Sequence, residues 1–401
     1  MNSGRQITSD LYYLGASDRR LALFENVYPL TGGVAYNTYL VKDEQAILFD
    51  CVDKAVADQF FSSLEATLAG QPLAYVVIQH VEPDHSATVA ELLRRHPETK
   101  VIASLQGARF LAQFFGPAFT GRIQTVAEKA TLTTGRHTFT FYMAPMVHWP
   151  EVMVTYDAAA KVLFSADAFG TFGALSGNLF ADAYDYKGAW LPEYRRYYAN
   201  IVGKYGPQVL ALLKKAAGLD IQLLCPLHGP IWRQDLGWLL EKYQRWAGYV
   251  PEDQAVLIAY GSIYGHTEQA AELLAAKLAS AGVQDIAVYD VSTTHPSYLV
   301  AEAFRCSHIV LASATYNNGI FDTMQTLVHD LATHNLQNRK FAVLENGSWA
   351  PVAGKLIREQ LGVLKNLIWI EPQITIKSAL TPEQEAQVGQ LAHNIAVTME
   401  K

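Results

Sequence analysis

The chain has 401 residues, 50% of them hydrophobic and 17% charged, which is long enough for two buried cores and too apolar for a disordered chain. Its 31 Lys and Arg against 38 Asp and Glu leave a formal charge of −7, the opposite of the basic footprint that nucleic-acid binding needs.

Taken from the amino terminus, MNSGRQITSDLYYLG lacks the apolar stretch of a signal peptide, and no later window approaches a membrane span. The expectation is a cytoplasmic protein with no membrane or nucleic-acid partner. Short β-branched and aromatic runs follow: AYNTYLV, AILFDCV, AYVVIQH, KVIAS, TFTFYMAP and KVLFSAD. Helical stretches at Ser86 to Arg95 and Pro207 to Ala217 interrupt them, so a mixed sheet with covering helices is expected. Around Trp246 to Gln254 the text WAGYVPEDQ carries turn and acidic residues and the pattern changes, dividing the chain into domains 1–250 and 251–401. Beyond it AVLIAYGS, IAVYDVS, HIVLASATY, KFAVLENGSW and WIEPQITI alternate with helices, the signature of a doubly wound parallel α/β sheet whose ligand sits at the carboxyl ends of the strands. Cys51, Cys225 and Cys306 show no C-x-x-C spacing, which argues against a disulfide framework, a zinc ribbon or an iron–sulfur centre and for a reducing compartment.

In the first domain the run AYVVIQ ends in His80, and Glu82, Asp84 and His85 complete H-x-E-x-D-H. Four candidate ligands thus occupy one strand-to-helix turn, which Pro83 stiffens. His148 in MVHWPEV, Asp167 in LFSADAFG and His228 in LCPLHGP follow, each at the end of an apolar run. Singly, each is more often a hydrogen-bonding residue or a cap than a ligand. Jointly they provide seven ligands, enough for two metals if one carboxylate bridges.

In the second domain Gly261, Ser262, Ile263, Tyr264, Gly265, His266 and Thr267 lie between the first strand and a helix. Two hydroxyls, backbone N–H groups and the helix start can cradle a phosphate monoester. The loop is neither G-x-G-x-x-G nor a Walker motif, which disfavours a dinucleotide or a triphosphate. Two later loops, Ser313, Ala314, Thr315, Tyr316, Asn317, Asn318 and Gly319, then Asn346, Gly347, Ser348, Trp349 and Ala350, each pair an aromatic ring with flexible backbone. That combination suits a flat heteroaromatic ring, with Tyr316 and Trp349 as ring contacts, and points to a flavin.

The first set of motifs resembles the metallo-β-lactamase fold, an αββα sandwich whose metal turn is usually H-x-H-x-D-H. Glu82 replaces an imidazole with a carboxylate and makes the site harder, favouring iron over zinc. Over its whole length, from AYNTYLV to ENGSWAP, the chain resembles the flavodiiron proteins (A-type flavoproteins). The resemblance implies two iron ions per chain: His80, Glu82 and His148 on one, Asp84, His85 and His228 on the other, and Asp167 bridging. It implies FMN in a flavodoxin-like second domain, and a head-to-tail homodimer, in some cases a dimer of dimers, that apposes one chain's flavin to its partner's irons. It also implies reduction of dioxygen to water, of nitric oxide to nitrous oxide, or of both, as detoxification. Ile263 and His266 stand where the family often has Met and Asn. With no C-x-x-C pairs for a fused rubredoxin module, electrons are expected from a separate donor, rubredoxin-like or, as in methanogen members, a deazaflavin. Tyr197 or Tyr198 is a further candidate for donating protons or hydrogen bonds. The competing readings are a zinc hydrolase carrying a flavodoxin domain and an electron-transfer protein on a metal-free scaffold.

Overall fold

A computed structural model describes residues 4–116 and 121–399; residues 1–3 of the amino-terminal stretch read above lie outside them. The chain forms two compact units, one running to Tyr197 and including Pro207–Glu241, the other made of Tyr198–Gly206 and the chain from Lys242 onward.

The first unit holds a seven-stranded and a five-stranded sheet. In the larger one, Leu11–Tyr13, Tyr39–Val41 and Ala46–Phe49 pair antiparallel, whereas Leu73–Val77, Lys100–Ser104 and Ile123–Val126 continue in parallel. In the smaller one, Thr131–Thr133, Thr138–Met143, Met153–Asp157 and Val162–Phe164 are antiparallel, and Leu223–Cys225 adds in parallel to the last. Inward side chains of both sheets form one core, with Phe49 stacked on Phe164 at a ring separation of 3.8 Å. This is the expected β-lactamase-like class.

Two predicted elements of this unit are broken, each by a buried polar side chain. AYNTYLV is split into Val34–Tyr36 and Tyr39–Val41. Asn37 donates from its amide to Pro226 O and Gly229 O, both at 2.8 Å, and the Thr38 hydroxyl donates to Asp50 O at 2.8 Å, so the backbone turns from one pairing partner to another there. The helix expected from Ser86 to Arg95 is instead Pro83–Ser86 followed by Val89–Arg95. Between them Thr88 donates to Val52 O and accepts from Val52 N, and this local bonding competes with a continuous helix.

The second unit is a parallel sheet in the order Ile286–Asp290, Asp253–Gly261, Cys306–Tyr316, Lys340–Asn346, Ile368–Trp369, the flavodoxin-like order. WIEPQITI yields two short strands, Ile368–Trp369 and Ile374–Ile376, because Pro372 has no N–H for the ladder. Residues 313–316 belong to the strand rather than to a loop. The chain reverses at Asn317 and Asn318, with φ of 50° and 56°, and Gly319–Ile320 pairs back on Thr315 and Tyr316; Asn tolerates that left-handed region better than most residues. Cys51, Cys225 and Cys306 are buried free thiols. Among the described residues no helix is long and apolar enough to cross a membrane.

Candidate functional site

The first site grows from strand ends. His80 lies three residues beyond Leu73–Val77, His148 lies in the connection between Thr138–Met143 and Met153–Asp157, Asp167 follows Val162–Phe164 and His228 follows Leu223–Cys225. The last two strands are parallel neighbours, so Asp167 and His228 emerge at the same end of the smaller sheet.

All seven residues read as ligands converge. Ligand atoms of His80, Glu82, His148 and Asp167 lie within 4.8 Å of one another, as do those of Asp84, His85 and His228. Asp167 divides itself between the two groups. Its Oδ2 lies 3.1 Å from His148 Nε2 and 3.5 Å from His80 Nε2, and its Oδ1 lies 3.0 Å from His85 Nε2 and 3.7 Å from His228 Nε2.

Several contacts fit a bound cation better than they fit side chains alone. His85 Nε2 faces His228 Nε2 at 3.1 Å, and His80 Nε2 faces His148 Nε2 at 3.4 Å; in each pair at most one nitrogen can donate to the other. Both Asp84 carboxylate oxygens and Asp167 Oδ1 are buried without an aligned hydrogen bond among the described residues. A bound cation resolves both anomalies. The proton equilibria agree: burial alone would lower the histidines, yet nearby carboxylates, Asp84 and Asp167 for His85 and Asp167 and Glu82 for His148, raise each to about 9. Asp167 is held well below the usual carboxylate range by His85, His148 and His80 against the opposing cost of burial. The cluster therefore carries bound protons that a metal would displace.

Orienting groups surround the ligands, and the sequence reading missed them. Glu151 Oε1 accepts from His80 Nδ1 at 2.8 Å and from Val81 N at 3.0 Å, which leaves His80 Nε2 free to ligate. His228 Nδ1 donates to Ala35 O at 2.9 Å with the same effect. Asp50, at φ 56°, receives Gln79 N and His80 N on Oδ1, and burial pushes its carboxyl up to about 6. Their only signal was position: Glu151 three residues after His148, and Asp50 at the end of an apolar run. The mouth is a cavity of about 610 Å³ lined by Leu23, Phe24, Glu25, Tyr36, Asp53 and Trp149 among others. Glu25 gave no sequence signal; its residue is exposed at the mouth, and the crowding of its carboxyl there, then the Glu82 carboxylate, raise it above the ordinary carboxylate range. Of the two tyrosines considered, Tyr197 has its ring 5.6 Å from that of His228. Tyr198 packs in the second unit, against Tyr243, Trp246 and Phe304.

The second site is a cavity of about 750 Å³ at the carboxyl ends of the parallel strands. Ser262, Ile263, Tyr264, His266 and Thr267 line it, with Ala314 and Thr315 from the end of the strand Cys306–Tyr316, Asn317 and Asn318 from the turn after it, Asn346 from the end of Lys340–Asn346, and Gly347, Ser348, Trp349 and Ala350 from the loop that follows. Gly261, Gly265, Ser313, Tyr316 and Gly319 stand outside the lining. Gly261 faces Phe321 so closely that a Cβ would lie 2.6 Å from its ring, and Gly265, at φ 89°, caps the helix His266–Ser280. The Ser262 hydroxyl accepts from Gly265 N at 3.0 Å, shaping a turn whose N–H groups and helix start suit a phosphate. Trp349 and Tyr264 are 89% and 90% exposed, two uncovered rings at the rim of a cavity large enough for a tricyclic ligand. Ser378, on a segment the sequence reading passed over, also lines it. Asn346 clasps it, donating to Ser378 O at 2.9 Å and accepting from Ser378 N at 3.1 Å.

Comparison with known proteins yields two family matches: the ODP family beta lactamase over residues 34–229 and flavodoxin over residues 258–364. An uncharacterised protein of Methanocaldococcus jannaschii is 30% identical over 79% of this chain and 78% of its own. The nitric oxide reductase of Moorella thermoacetica is 28% identical, covering 97% of each chain. The solved structure of rubredoxin oxygen:oxidoreductase from Desulfovibrio gigas superposes with a TM-score of 0.93 at 28% identity over 99% of both chains. The flavodiiron protein of Giardia intestinalis, at 23% identity, shares the fold with a TM-score of 0.93 over 100% of this chain and 97% of its own.

Proposed function

The chain belongs to the flavodiiron proteins, and from that premise we propose that it reduces dioxygen to water, nitric oxide to nitrous oxide, or both. It is an oxidoreductase whose cofactors are a pair of iron ions and FMN. The observation that carries the proposal is Asp167, one carboxylate with an oxygen toward each of two ligand groups. That arrangement supports the assignment of His80, Glu82 and His148 to one iron, Asp84, His85 and His228 to the other, and Asp167 to both, and it disfavours a single-metal hydrolase.

When bound, the irons would supply electrons to the gas and FMN would hold two more in reserve. The protein does the rest. Glu151 and Ala35 O fix the tautomers of His80 and His228 so that Nε2 faces the metal. Leu23, Phe24 and Trp149 at the mouth admit a small apolar gas. In the flavodoxin-like domain the Ser262–Thr267 turn would take the phosphate, and Trp349 and Tyr264 would flank the ring. We place the domain boundary near residue 250. We further propose a rubredoxin-type external donor, by analogy with a relative named rubredoxin-oxygen oxidoreductase, and a head-to-tail homodimer that would cover the exposed flavin rim.

The test is anaerobic reduction of the iron- and FMN-loaded protein by a rubredoxin, followed by parallel measurement of dioxygen and nitric oxide consumption. Consumption of either gas supports the function. Failure to consume both, with iron and FMN present, refutes it, and stoichiometric zinc with ester hydrolysis would replace it.

A further inference from the structure

One feature of the first unit lies outside the ligand site and its supports: a file of tyrosine and tryptophan rings leading away from His228. Tyr197 lies 5.6 Å from the His228 ring, centre to centre. Tyr194 is one turn earlier on the same helix, Leu191–Tyr197, where residues three apart are neighbours. Tyr194 meets Trp232 at 5.6 Å, and Trp232 meets Tyr186 at 5.0 Å and Trp238 at 6.1 Å. These are separations of rings in contact. The inner three residues are fully buried, whereas Tyr186 and Trp238 are partly exposed.

The chemistry differs between the middle of the file and its outer end. Trp232 Nε1 is buried with no acceptor among the described residues, so an oxidised Trp232 has nowhere to pass its proton and the electron vacancy stays mobile. At the outer end the Tyr186 hydroxyl donates to Asp235, whose charge Lys187 balances at 2.9 Å. A proton acceptor is thus in place where the file reaches solvent. On the other side of the metal site, His80 meets Trp149 at 5.3 Å and His148 meets it at 6.3 Å; among the described residues the rings on its far side are Phe110 and Phe114, which are far harder to oxidise.

Resting on the proposed gas-reducing function, we propose that this file protects the site by delivering one electron inward when the donor supplies one fewer than the four that dioxygen requires. Tyr186 loses one electron and passes its proton to Asp235. The electron would move through Trp232, Tyr194 and Tyr197 to the metal site held by His228, making up the missing one so that the site's side chains are not oxidised in its place. A small-molecule thiolate then returns one electron to the Tyr186 phenoxyl, which takes its proton back from Asp235 as the thiolate becomes a thiyl radical.

The test mixes holoenzyme carrying only part of its electrons with excess dioxygen. Freeze-quenched samples are examined by electron paramagnetic resonance, and oxidised residues are mapped by peptide mass spectrometry. The expected result is a tyrosyl signal and oxidation products at Tyr186 and Trp238, both largely lost in Trp232→Phe, with damage moving to Tyr197 and His228. In Tyr186→Phe the tyrosyl signal disappears and products shift to Trp238. Tyr194→Phe, which removes only a hydroxyl, serves if Trp232→Phe does not fold. Absence of the signal and products in the parent protein overturns the proposal, as do wild-type amounts of product at Tyr186 in Trp232→Phe. Gas consumption with a full supply of electrons is read separately: if it persists in the variants while the products do not depend on Trp232, the route fails and the function stands. If the parent protein consumes no gas at all, both fail.

Discussion

Replacing Glu151 with Ala tests whether the residues behind the ligands set the metal affinity. In the structure Glu151 Oε1 receives two donors, His80 Nδ1–H at 2.8 Å and Val81 N–H at 3.0 Å, and all three residues are buried. Truncation leaves both donors unpaired at about 1–3 kcal/mol each, hence ~2–6 kcal/mol in the metal-free protein. It also frees His80 to rotate or change tautomer, a loss of outer support that costs about 10–100-fold in metal affinity. The loss is confined to the half-site of His80, Glu82 and His148, because the other half is oriented independently by Ala35 O on His228 Nδ1. Glu151→Gln keeps an oxygen acceptor and is expected to recover much of the stability while the site lacks one negative charge. The assay is stepwise metal release against a chelator, followed by elemental analysis and alongside thermal unfolding. E151A should lose one metal per chain well before the second, and E151Q should lie between it and the parent. Parallel release of both metals, or wild-type affinity in E151A, would refute the reasoning.

Three further outcomes follow from other residues. His137 Nδ1 pairs with Asp157 at 2.6 Å and Nε2 with Asp10 at 3.1 Å; the Asp157 hydrogen bond is the leading cause that lifts its pKa from 6.5 to about 9. A raised histidine stabilises fully below its unfolded pKa and loses that contribution as pH rises through the folded one, so stability should fall by about 1–2 kcal/mol between pH 6.5 and 9 after solvent screening. Denaturant titrations across that range should show the slope, and His137→Gln should flatten it. Trp349→Ala should leave thermal unfolding of the flavin-free protein unchanged, since the ring is almost wholly exposed. It should weaken FMN binding by about 1–2 kcal/mol, read by quenching of flavin fluorescence. Glu82→His, by restoring an imidazole-rich turn, should shift metal content from iron toward zinc on growth with both metals, measured by elemental analysis.

How far the sequence reveals this molecule depends on whether a residue's role is local. The candidate ligands were legible because H-x-E-x-D-H packs four of them into one turn and because His148, Asp167 and His228 each punctuate an apolar run. The parallel sheet was legible from strand and helix alternation. Glu151 was hidden because a carboxylate after Pro150 looks like any turn residue until the fold brings it to His80, 71 positions away. Ser378 was hidden for the same reason, since its partner Asn346 is 32 residues distant. The break at Asn37 could not be seen because its partners, Pro226 O and Gly229 O, are nearly half the chain downstream. Propensity reads AYNTYLV as one strand, and tertiary hydrogen bonds override it.

On the proposed assignment, the scatter of the seven candidate ligands along the chain also dictates an order of events in the protein's biosynthesis. His80 to His85 leave the ribosome long before His228, and Asp167 needs neighbours from both ends of that interval. No partial product can hold the pair of metals in its final geometry, so loading waits until Leu223–Cys225 has docked beside Val162–Phe164. Metal capture is then a reaction of a nearly finished domain, and what enters depends on which ions are available at that moment. On the proposed assignment, the ions at hand when that docking completes select between the iron-loaded enzyme and a mismetallated copy of it.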